Sequence, residues 1–89
     1  MVRNMNFEIV RIGEESVAVP IGDEATSFHG VITLSEPSAF ILELLSKPQS
    51  KDDLVDRLCE EYDVDRITAE TDLNNVLERF YEFNLIVDS

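Results

Sequence analysis

Apolar and polar residues alternate from Met5 to Ile12, with Met5, Phe7 and Ile9 on one face and Asn6 and Glu8 on the other, the period of a half-buried strand. Gly13, Glu14 and Glu15 break the run, and Val17, Val19 and Ile21 resume it, so the two segments predict an antiparallel hairpin. Pro20 belongs at the end of the second strand, because at mid-strand it would remove a ladder donor. After the polar break Gly22, Asp23 and Glu24, residues Ala25 to Leu34 predict a third strand. Phe28, Ile32 and Leu34 share one of its faces and His29, Val31 and Thr33 the other. Gly30 within it marks a bulge or a close backbone approach. The three strands read as a small meander whose third strand is an edge.

The stretch Gly30 to Ser46 is the centre of the pattern. Val31 to Leu34 favours a strand, while Ala39 to Leu45 is apolar on nearly all sides except Glu43, as a buried helix is. Between them Ser35 can cap the helix, and Pro37 sits in the first turn, where its missing N–H costs nothing. Lys47, Pro48 and Gln49 end this helix. Ser50 and Asp53 form a cap pair for a second one, whose apolar stripe is Leu54, Val55, Leu58, Cys59 and Tyr62. Cys59 is thereby expected to be a buried core thiol. Asp65 caps a third and longest helix, with Ala69, Leu73, Val76, Leu77, Phe80 and Phe83 as its core stripe and an end near Phe83 or Asn84. Leu85, Ile86 and Val87 make a short apolar tail that packs back on the domain.

Composition narrows what such a chain can do. At 89 residues and 44% hydrophobic, residues 1–89 fit a single domain that buries roughly 60–65% of its unfolded surface. No apolar run approaches the length of a membrane span, and the N-terminus lacks a signal-peptide core, so a soluble, cytoplasmic protein with no membrane partner is expected. A single cysteine excludes an internal disulfide and a multi-cysteine zinc site. The net charge of -12, from 19 acidic and seven basic residues, repels a phosphate backbone, so no nucleic-acid partner is expected.

Groups for chemistry are sparse. His29 is the only histidine, which excludes a His-based metal cluster. The carboxylates are spread along helix surfaces, and Asp52, Asp53 and Asp56 lack the spacing of a calcium loop. Gly13, Gly22 and Gly30 are too far apart for a phosphate-binding loop. No metal, no cofactor and no enzyme activity are expected.

Three strands followed by three helices, the last two joined by a short turn, predict an α+β fold resembling a winged helix-turn-helix, with a three-stranded antiparallel sheet. A transcription regulator of that type is one reading. Its recognition helix would carry only Arg66 and Arg79 against Glu70, Asp72, Glu78 and Glu82, the wrong sign for phosphates. A second reading is an acidic domain that docks to a larger enzyme.

The run FEIVRIGEESVAVPIGDEATSFHGVITLSEPSAFILELL, followed by SKDDLVDRLCEEYDV and a final amphipathic helix, resembles the PqqD-like family, named for a protein of pyrroloquinoline quinone biosynthesis. The valine-proline end of the second strand, the G-V-I-T-L strand running into A-F-I-L-E-L-L, and E-E-Y-D-V after the second helix are the telling parts. The resemblance implies a non-catalytic recognition element. Such a domain binds the leader of a ribosomally made precursor peptide and presents it to a modifying enzyme, frequently a radical S-adenosylmethionine enzyme. In the family the leader adds to the third strand and lies against the third helix. Carried over, this puts the peptide along Phe28, His29, Val31, Ile32, Thr33 and Leu34, with Asp72, Asn75, Val76 and Arg79 facing it. The same edge strand could instead pair with a second copy of the chain, as a homodimer.

Overall fold

In the computed structural model, which describes residues 1–22 and 30–88, the chain runs β1 (Val2–Arg3), β2 (Phe7–Ile12), β3 (Glu15–Pro20), β4 (Ile32–Leu34), α1 (Glu36–Leu44), α2 (Lys51–Tyr62), α3 (Arg66–Glu82) and β5 (Ile86–Val87). A three-stranded antiparallel sheet has the order β2-β3-β4, and β1 pairs antiparallel with β5 in a separate ribbon. The α+β meander-then-helices order expected from the sequence is therefore present. Of the predicted third strand, Ile32–Leu34 is strand, Gly30 and Val31 are not, and Ala25 to His29 lie outside the described residues.

The hairpin fixes which backbone groups of the sheet are free. Ile12 pairs with Glu15 across the two-residue loop Gly13-Glu14, and Gly13, at φ 64°, takes the positive φ that such a loop demands at its first position. At the other end Ile21 N–H donates to the Asn6 carbonyl at 2.7 Å. Hydrogen-bonded and non-bonded pairs alternate in an antiparallel ladder. From both ends the alternation makes Glu8–Val19, Val10–Val17 and Ile12–Glu15 the bonded pairs. The backbone groups of Ser16 and Ala18 must then point the other way, toward β4, where they face Leu34 and Ile32. Thr33, opposite Val17, is left with its N–H and C=O turned out from the sheet. Pro20, at the end of β3 as expected, has no N–H to offer on the β4 side, and the β3–β4 register stops at Ala18–Ile32.

Phe7, Ala18, Ile32 and Leu34 face the helices and join the main core with Ile41, Leu42, Leu45, Leu54, Val55, Leu73 and Phe80. Since side chains alternate, Val17 and Val19 lie on the opposite face, where Val17 is nonetheless buried. The apolar period of Val17 and Val19 thus marks the face of the sheet turned from the helices, and the small Ala18 fills the core side.

The helix starts are as the sequence spells them. Ser35 Oγ accepts from Ser38 N–H at 3.2 Å with Pro37 in the first turn; Ser50 and Asp53 form a reciprocal capping box; Asp65 accepts from Thr68 N–H at 2.7 Å. Asp63, at φ 49°, closes α2 in the left-handed region. Arg66 then ties α3 to α2, reaching Asp56 at 2.7 Å and Asp52 at 3.4 Å while also lying 3.6 Å from Glu70. Cys59 is half-buried at the core margin, not enclosed as expected, because it sits at the border of the α2 stripe. The tail packs back as expected and goes further. Val2 pairs with Val87 and Arg3 with Ile86, while Asn4 binds both the Leu85 carbonyl through its N–H and the Asn84 carbonyl through Nδ2, each at 2.8 Å.

Candidate functional site: a groove between the edge strand and the last helix

Asn75, Val76, Arg79 and Phe80 of α3, with Phe83 at its C-cap, recur at helical spacing and so share one face. That face looks toward β4. Together with Ile32, Thr33, Leu34, Ser35, Ser38 and Leu85 they line a groove of about 200 Å³. Its floor is apolar: Ile32, Leu34, Phe80 and Leu85 are buried, and Val76 and Phe83 are half-buried. Its rim is polar, made by Thr33, Ser35, Asn75 and Arg79, all exposed. The N-terminus of α1 closes one end through Ser35 and Ser38, whose hydroxyls bond each other at 2.8 Å.

Along the groove runs the free side of β4, with the outward amide and carbonyl of Thr33. An extended chain laid there would find backbone partners on one side and an apolar floor below. Among the described residues the lining holds no carboxylate, histidine or cysteine, and these residues offer no proton-transfer pair or metal-ligand set. Among the described residues no cluster of His, Cys, Asp and Glu could hold a metal ion, and no helix is long and apolar enough to cross a membrane.

Six residues expected at the site from the sequence meet here: Ile32, Thr33, Leu34, Asn75, Val76 and Arg79. Phe28 and His29 lie outside the described residues. Val31, just before β4, is exposed and does not line the groove. Asp72 lies a turn before Val76, where α3 faces α1 and α2, and lines a separate apolar cavity of about 200 Å³ with Pro37, Ile41, Leu58, Tyr62, Val64, Ala69 and Val76. Burial, then Glu36 and Glu61, push the Tyr62 hydroxyl above its ordinary value. Ser35, Ser38, Phe80, Phe83 and Leu85 were not among the expected site residues. Phe80 and Phe83 carried a signal, since they continue the spacing of Asn75, Val76 and Arg79.

TbiB1 in complex with the TbiA(beta) leader peptide is a solved structure similar to this chain, with a TM-score of 0.76, 26% identity, and coverage of 99% of this chain and 100% of that one. No protein with a curated description matches the chain. The family model described as coenzyme PQQ synthesis protein D (PqqD) matches residues 8–86, nearly the whole folded domain, and the chain belongs to that family.

Proposed function

We propose that this protein is a non-catalytic peptide-binding module that takes the leader of a ribosomally made precursor as an added strand on β4 and presents the precursor to a modifying enzyme. The observation that carries the reading is the placement of Thr33: its free backbone groups border a groove whose floor is apolar and whose other wall is α3. Backbone bonding gives affinity to any extended segment, and alternate side chains dropped onto the floor give selectivity. The leader peptide held by TbiB1 supports the same use of this fold. A radical S-adenosylmethionine enzyme is the partner we expect, from the family likeness.

The regulator reading loses support from the ion pairs. Arg66 is engaged by Asp52, Asp56 and Glu70, which removes one of only two cations on α3 from phosphate binding. Calorimetric titration with the leader segment of a short precursor encoded beside this gene tests the proposal. Saturable binding that is lost when the groove is blocked supports it, and no binding by any neighbouring precursor contradicts it.

A further inference from the structure

This chain has 19 carboxylates among 89 residues, yet among the described residues none lines the groove, and Arg79 is the charged residue that does. The other helical arginines behave differently. Arg57 lies 3.8 Å from Glu60, and Arg66 is held by three carboxylates. Arg79 makes no ion pair among the described residues, although Glu82 is one turn away on the same helix. Its position in the last turn of α3 suits the helix dipole, but that interaction leaves the guanidinium fork open.

We infer that the segment bound in this groove carries an acidic side chain seated on Arg79 and an apolar side chain on the floor formed by Val76, Phe80 and Leu85. The inference rests on the peptide-binding reading and adds the chemical class of the ligand. In an added strand, side chains that point to the helix side alternate, so the two residues are separated by an even number of positions, two in the shortest register. The net charge of -12 does not oppose this pairing at contact. Screening limits exposed charges to about 8 Å at physiological ionic strength, so the adjacent cation outweighs carboxylates on the far helix surfaces. Arg79 is thus a specificity residue: it selects which extended segments stay.

A phage-displayed library of random peptides, selected in parallel on the intact protein and on its Arg79→Glu variant, tests this. The wild type is expected to enrich an apolar residue two positions from Asp or Glu, and Arg79→Glu to keep the apolar position while replacing the acidic one with Lys or Arg. A synthetic peptide from the wild-type pool should bind Arg79→Glu about 10-fold more weakly, the scale of losing one rim pair and gaining a repulsion, and a Lys-for-Glu peptide should regain it. Identical consensus sequences from both proteins, or groove-competing peptides with no acidic position, overturn the inference and leave the peptide-binding reading standing. An empty selection, or peptides that bind equally well when Thr33 is replaced by proline, removes both.

Discussion

Thr33 stands opposite Val17 across β3 and β4 in a pair that exchanges no backbone bonds, so its amide and carbonyl face away from the sheet. Its neighbours Ile32 and Leu34 use theirs to hold β3. Proline at these positions should therefore do different things. Thr33→Pro removes a donor that the folded domain does not use, so the protein should stay folded by circular dichroism while peptide affinity falls about 10-fold or more. Leu34→Pro should break the ladder and unfold the strand. Thr33→Val, which keeps the N–H, should bind within about threefold of wild type, and calorimetry separates the three.

On α3, burial divides residues that look alike in sequence. Leu73 is fully buried, and Ile67 is 78% exposed. Leu73→Ala should cost about 2–5 kcal/mol through lost burial and a cavity, lowering Tm by roughly 10 °C or more, whereas Ile67→Ala should change stability by no more than about 0.5 kcal/mol. Thermal unfolding of the two variants checks the register of the helix.

What the sequence disclosed and what it hid follow from range. The caps at Ser35, Ser50 and Asp65 were legible because a cap is a contact between residues three apart. The alternation of β3 was legible too, but a period of two separates the faces of a strand without saying which one meets the helices. Val17 and Val19 read as well as core residues as Ala18 does, until pairing with Ile9 and Ile32 puts Ala18 inside. The β1–β5 ribbon joins two-residue strands from opposite ends of the chain, too short for any local pattern. At the groove, Asn75, Val76 and Arg79 were indicated by the family resemblance, together with Asp72, which lies off it. Leu85 was hidden because an apolar groove floor and a core have the same composition.

Acid should loosen α2 and α3 through their caps. The bonds from Ser50 hold Asp53, and the bonds from Thr68 hold Asp65, below the usual carboxylate range. A carboxylate depressed in the folded state contributes fully above its unfolded value near 3.9, and the contribution is lost as pH falls through the lower folded value. Asp65→Asn keeps an N-cap acceptor but cannot titrate. Its stability, followed by urea unfolding monitored at the helical circular dichroism band, should depend less steeply on pH below about pH 5 than that of the wild type. An unchanged slope would mean that the Asp65 cap does not couple to folding.

Binding of a peptide as an added strand on β4 is tested by amide hydrogen exchange of the 15N-labelled protein with and without a saturating groove-selected peptide. In the free protein Ile32 and Leu34 should exchange slowly and Thr33 fast, because only the first two amides are bonded to β3. With peptide bound, the Thr33 amide should become slow while Ile32 and Leu34 stay as they were. If Thr33 still exchanges fast at saturation and protection appears instead among the exposed residues of α2, the peptide is held elsewhere and the strand-addition account is wrong.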